Sequence, residues 1–198
     1  MLYQLSYAPT ERRTVRAEAV RSKGRPPGAA GVKARPLPSD RPVRMAAHPD
    51  VGDPAPDFTL PSTEGPLNLY ERLHEGAALL VFYPKDDTLV CTRQLCNYRD
   101  HLSEFRAVGV ELIGINHDDL ATHAAFAGRH RLPFPLCSDE KREVCRAYGA
   151  LPHAWNAKRV AVLVGEDARI WWRHAELRLF HRDAKDLVQV IQELRAER

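Results

Sequence analysis

The chain has 198 residues, 44% hydrophobic and 28% charged, a balance that suits one globular domain plus a tail and excludes wholesale disorder. Its longest apolar run, Ala77 to Tyr83, falls far short of the roughly 20 residues that a membrane span needs, and four cysteines are too few for a disulfide-built scaffold. Net charge is +3, but residues 1–44 hold ten Lys/Arg against three Asp/Glu while residues 45–198 hold nineteen against twenty-three; the mildly acidic body argues against nucleic acid as its partner.

The basic segment 1–46 has six prolines, glycines at 24, 28 and 31, and no periodic apolar face between Arg21 and Arg44. It is expected to be a flexible extension. Three roles are open to it: an upstream stretch ahead of a working start at Met45, an organellar transit peptide, or an arm that touches nucleic acid or anionic lipid. No apolar stretch follows its charges to make a secretory signal, so the domain, residues 47–198, is expected in the cytoplasm.

Within that domain short apolar runs alternate with amphipathic stretches. Phe58–Leu60 and Leu67–Leu69 alternate with period two around residues 61–65, which predicts an edge hairpin. Ala77–Tyr83 predicts a strand buried on both faces. From Cys91 to Val108, residues Leu95, Tyr98, Leu102, Phe105 and Val108 keep helical spacing. A second buried strand follows over Val110–Asn116, then a helix over Leu120–His130, a strand over Phe134–Leu136 and a short helix over Glu143–Tyr148. Val160–Val164 and Ile170–Trp172 predict a strand pair across residues 165–168, with one of Trp171 and Trp172 facing the core. A closing helix runs over Ala184–Arg195. Strands alternating with helices imply parallel pairing in the first half and antiparallel additions later: an α/β domain with a mixed central sheet flanked by helices.

The segment from Tyr83 to Cys96 joins a buried strand to a helix, at the carboxyl edge of the sheet where sites form. Pro84 cannot continue a central strand and turns the chain outward. Asp87 or Thr88 suits the helix N-cap, which sets Cys91 in the first turn. There unpaired backbone N–H groups and the helix dipole favour a thiolate over a thiol. Cys96 lies five residues on. A regular helix rotates such a pair by about 140° and separates their Cα atoms by about 8.6 Å, whereas a disulfide tolerates no more than about 7 Å. The pair therefore bonds only if the first turns unwind, which suits a cycling disulfide better than a permanent one.

Pro84-x-x-x-Thr88-x-x-Cys91 matches the peroxiredoxin signature, and Cys91-x4-Cys96 resembles the bacterioferritin comigratory protein or PrxQ branch of that family. Gly52-x-x-Ala55-Pro56-Asp57-Phe58 and Leu136-Cys137-Ser138-Asp139 before Ala147-Tyr148-Gly149 extend the resemblance. It implies a thioredoxin-like fold and thiol-dependent reduction of peroxides. Cys91 would be the peroxidatic cysteine, Thr88 would hydrogen-bond thiolate and peroxide, Pro84 would shield the pocket, and Arg159 would stabilise thiolate and leaving oxygen, with Gln94 supporting that arginine. Elementary chemistry agrees, because a fixed cation beside sulfur favours its anion and a planar fork orients oxygens. The Cys91 sulfenic acid would condense with Cys96, and thioredoxin or a similar dithiol would restore both thiols. No metal, haem or flavin is called for, and a monomer or weak homodimer is expected. Ala168 stands where the family commonly has a turn glycine. Cys137 and Cys145 are expected to be structural.

The rival of another class is a redox sensor or zinc-binding module built on the four cysteines, with His101 as a further candidate ligand. Spacings of four and seven intervening residues do not match paired metal knuckles. A cysteine hydrolase is a third option that nothing in the sequence pairs with a particular histidine.

Overall fold

The computed structural model describes residues 48–151, 159–176 and 183–198; the segment 1–46 therefore lies outside the described residues. The chain begins with a hairpin, β1 (Thr59–Ser62) and β2 (Gly65–Asn68), followed by a short α1 (Leu69–Arg72). Then come β3 (Ala77–Phe82), α2 (Leu89–Asp100), α3 (Leu102–Ala107), β4 (Val110–Asn116), α4 (Leu120–His130), β5 (Leu136–Ser138) and α5 (Glu143–Ala147). Finally β6 (Arg159–Val164), β7 (Ile170–Glu176) and α6 (Ala184–Ala196) complete the described chain.

The strands form one mixed sheet in the order β2-β1-β5-β4-β3-β6-β7. β3, β4 and β5 run parallel, while β6 and β7 on one side and β1 and β2 on the other are antiparallel additions. Helices pack on this sheet as the predicted α/β architecture requires. Alternation along the buried strands gives the sheet two apolar faces. Ala77, Leu79, Val81 and Tyr83 point to one, packed with Leu95, Phe105 and Ile191. Ala78, Leu80 and Phe82 point to the other, with Phe58, Val144 and Tyr148.

Several predicted boundaries move: α2 starts at Leu89 rather than Cys91, β5 runs on to Ser138 and β7 to Glu176 rather than Trp172, and four further differences have a local reason. The hairpin turn is tighter than residues 61–65, because Ser62 pairs with Gly65 and its hydroxyl donates to the Gly65 carbonyl at 2.6 Å, with Gly65 at φ 104° turning the chain. Leu69 begins α1 rather than ending a strand, since the Asn68 side chain accepts from the Glu71 N–H as an N-cap. The third parallel strand starts at Leu136, after Pro135, instead of Phe134. The helix predicted over residues 91–108 is two helices. At His101 the ring bonds the Asn97 carbonyl at 2.9 Å, and the His101 N–H goes to Tyr98 instead, ending the regular ladder.

Trp171 and Trp172 do not face opposite ways. A β-bulge shifts the register between Leu163 and Val164, which pair with Trp172 and Ile170, leaving Trp171 as the extra residue. Both indoles then pack against the same apolar cluster, Trp171 buried and Trp172 half-buried. A side chain at Gly165 would collide with the Trp171 ring, its Cβ meeting Cε2 at 1.8 Å. Ala168 closes that turn with φ 55°, the left-handed conformation that a glycine adopts without strain.

Candidate active site

The site forms where β3 leaves the sheet. Pro84 is half-buried and turns the chain, and Asp87 takes φ 55°. Thr88, extended at φ −83° and ψ 142°, is the N-cap of α2. Its carbonyl accepts the Thr92 N–H at 2.9 Å, and its exposed hydroxyl donates to the Lys85 carbonyl at 3.3 Å. Cys91 therefore occupies the third helical position of α2, and its thiol lies at 0% exposure on the Leu79–Val81–Tyr83 face of the sheet.

Arg159 opens β6 on that same face, since Ala161 and Leu163 follow it at period two into the same cluster. Although only 2% exposed, its guanidinium is met by acceptors. One nitrogen donates to Cys91 Sγ at 3.2 Å, and another donates to Gln94 Oε1. Gln94, one turn after Cys91, in turn donates from Nε2 to the Tyr98 hydroxyl at 3.1 Å. A buried cation thus touches the sulfur, and a relay of side chains on one face of α2 fixes its angle. Cys91, Gln94 and Arg159 come together in this way, while Pro84 and Thr88 lie on the turn that leads into the same helix.

Cys96 sits on the same continuous helix, half-buried, and both thiols are free. Cys137 and Cys145 lie elsewhere, packed with the other face of the sheet. Burial pushes the Cys137 thiol up to about 12, and burial together with the Asp139 carboxylate raises Cys145 further. Among the described residues no group of three His, Cys, Asp or Glu side chains is placed to hold a metal ion, so the four cysteines do not form a zinc cluster there. A cleft of about 590 Å³ between Phe58, Leu60, Val144 and Tyr148 contains none of the predicted site residues and opens on the Cys137 side.

A second group of polar side chains beside the site escaped the sequence reading. Asp86, 2% exposed, accepts from the Tyr83 hydroxyl at 2.8 Å and the Asn116 amide at 3.0 Å on Oδ1, and pairs with His123 Nδ1 at 2.8 Å on Oδ2. Burial, reinforced by Asp86, holds Tyr83 far above the usual phenol range, hence neutral. In the sequence, Asp86 reads as part of a solvated Lys-Asp-Asp run. His123 offered one signal, its place three residues before the core residue Phe126 on α4.

Residues 51–173, more than half of the chain, match the AhpC/TSA family. The chain belongs to the AhpC/TSA family. A Coxiella burnetii protein named as peroxiredoxin bcp is 41% identical over 102 residues, which cover 52% of this chain and 68% of that protein. The chloroplastic peroxiredoxin Q of Arabidopsis thaliana is 42% identical over 98 residues, 50% of this chain and 45% of that one. Among solved structures, peroxidoxin BcpB of Mycobacterium tuberculosis superposes with a TM-score of 0.68 at 29% identity, over 76% of this chain and 99% of that one. Peroxiredoxin Q of Xanthomonas campestris shares the fold at a TM-score of 0.61 and 22% identity, over 70% and 90% of the two chains. The fold is thus thioredoxin-like, as the resemblance implied, and these relatives place the chain among the thiol-dependent peroxidases.

Proposed function

We propose that the chain reduces hydrogen peroxide and organic hydroperoxides at Cys91 and resolves the product with Cys96. The observation that carries this reading is the buried Arg159 guanidinium, bonded at once to Cys91 Sγ and Gln94. A cation in a dry site favours sulfur as an anion and offers donors to oxygen as charge develops on it. The thiolate attacks one peroxide oxygen, the S–O bond forms as the O–O bond breaks, and the departing oxygen leaves as water or alcohol after taking a proton. Thr88, at the N-cap of the same helix, supplies a hydroxyl for the bound peroxide, and Pro84 screens the thiol from water.

Sulfur is now a sulfenic acid, two electrons more oxidised. Cys96 Sγ displaces its hydroxyl as water, giving an intramolecular disulfide. Because α2 is regular from Leu89 to Asp100, that bond forms only after residues 91–96 unwind. A dithiol, thioredoxin in this reading, then returns two electrons and restores both thiols. The protein works in the cytoplasm as a monomer or weak homodimer.

Intact mass and peptide mapping after one equivalent of hydrogen peroxide test the cycle. The reduced protein is expected to lose two hydrogens, mapped to a Cys91–Cys96 link. Cys96→Ser should stop at Cys91 with one added oxygen, and Cys91→Ser should not react. Undiminished turnover in Cys91→Ser overturns the assignment.

A further inference from the structure

The mechanism requires α2 to unwind while the turn that presents Cys91 returns to one geometry in every cycle. The side chains of α2 do not provide a fixed point for this, because Gln94 and Cys91 lie within the segment that moves. The residue just upstream does. Asp86 is held through four hydrogen bonds to three parts of the fold. Its N–H donates to Asp118 at 2.8 Å, and its carboxylate takes the Tyr83 hydroxyl, the Asn116 amide and His123 Nδ1. Asn116 ends β4 and His123 belongs to α4. The frame extends to β5, where the Ser138 hydroxyl donates to the Asp118 carbonyl at 2.6 Å and the Asp139 N–H donates to the Asn116 carbonyl at 2.7 Å. Asp86, Asn116 and His123 are all nearly or wholly excluded from solvent, at 2%, 0% and 0% exposure.

By contrast, the residue that follows has only a surface tie. Asp87 is exposed, strained at φ 55°, and paired with Arg129, whose side chain is 57% exposed, with His130 Nε2 at a looser 3.9 Å. Exposed pairs of that kind contribute little. The boundary between the anchored and the movable chain therefore falls between Asp86 and Asp87.

We propose that Asp86 and His123 are positioning residues for the Cys91 reaction, a buried clamp that fixes the upstream end of the segment that unwinds. This inference rests on the peroxidase reading above. The clamp confines unwinding to the chain after Asp86, so Pro84 does not drift when α2 opens, and Thr88 and Cys91 rewind from a fixed origin to one geometry. Misplacement by about 1 Å can slow a reaction by roughly a hundredfold, so the clamp acts on the peroxide step, which needs the wound geometry. Disulfide closure, which needs the geometry lost, does not depend on it.

Hydrogen bonding sets the choice of variants. His123 Nδ1 carries the hydrogen toward Asp86, while Nε2 meets no partner among the described residues. An asparagine amide can stand in for Nδ1, a glutamine amide reproduces Nε2, and leucine reproduces neither. Rapid-quench kinetics with hydrogen peroxide would follow sulfenic acid formation and disulfide closure separately in the full chain. His123→Leu should slow the peroxide step roughly ten- to a hundredfold and leave closure unchanged or faster. His123→Asn should recover most of the loss and His123→Gln should not. Tyr83→Phe removes one donor to Asp86 with little change of shape. It should give a smaller loss of the same kind, and it carries the test should His123→Leu fail to fold.

Folded variants whose peroxide step matches the wild type overturn the clamp, as does a fall of both steps by one common factor. A wild-type chain that forms no sulfenic acid refutes the peroxidase reading itself, an outcome the parallel control separates from failure of the clamp.

Discussion

Unwinding of α2 can be tested at a position that touches nothing the chemistry uses. Arg93 is exposed and lies between Cys91 and Cys96. Replacing it with alanine removes the charge and keeps the helix. Replacing it with glycine removes the same charge but weakens the helix by about 1 kcal/mol relative to alanine. If the disulfide closes from a sparsely populated unwound state, that difference raises the population of the state about fivefold. Intrinsic resistance to unwinding comes mainly from side chains that glycine leaves alone, Leu95 at 0% exposure and the Gln94–Arg159 bond. The wound form therefore stays dominant, and the peroxide step should change less than about twofold. Stopped-flow fluorescence with hydrogen peroxide, calibrated by quenched samples, would compare the closure rates of Arg93→Gly and Arg93→Ala. A glycine variant that closes about fivefold faster supports the reasoning. Equal closure rates refute it, because they would mean that the thiols meet without breaking the helix.

Two other predictions concern stability. Ala168→Gly relieves a left-handed alanine, a conformation that costs roughly 1–2 kcal/mol, against roughly 0.5–1 kcal/mol of added chain entropy in the unfolded state. Thermal unfolding should shift up by a few degrees, and a lower midpoint would contradict the strain. Cys137 is pushed up to about 12 by burial, so between an ordinary thiol value near 9 and that value the unfolded chain releases a proton that the folded chain keeps. Stability should then be complete below pH 9 and fall as pH rises toward 12, by at most about 1.4 kcal/mol per pH unit for this thiol. Urea unfolding between pH 8 and 11 would show the decline, and Cys137→Val should lessen it by this thiol's share while the buried Cys145 thiol keeps its own; a slope unchanged by that variant assigns the loss elsewhere.

Continuous apolar runs and alternation made the sheet legible, because buried parallel strands have no other way to read. The turn from Pro84 to Cys91 was legible for a related reason: a proline, a capping residue and a first-turn cysteine each have a narrow range of uses. Arg159 lay 68 residues from Cys91, and only the family resemblance singled it out. What the sequence hid depends on single contacts. Nothing in the spacing of residues 91–108 shows that the His101 ring takes the Asn97 carbonyl. A bulge is invisible to period-two counting, so Trp171 and Trp172 defeated the alternation rule at one register shift. The Asp86 cluster draws on residues 83, 86, 116 and 123, polar or aromatic positions in different elements, and burial appears only when the chain brings them together.

The sheet also sorts the thiols. Cys91 packs on one of its faces, while Cys137 and Cys145 pack on the other, behind a continuous layer of hydrogen-bonded backbone. A sulfenic acid at Cys91 and the two interior thiols are thus kept in separate compartments, and thiol exchange does not pass through an intact sheet. The molecule carries four thiols, yet the proposed redox circuit has only two terminals and no internal spare. In that proposed cycle a chain deprived of Cys96 would have to borrow its second sulfur from another molecule, whatever thiols it still holds within.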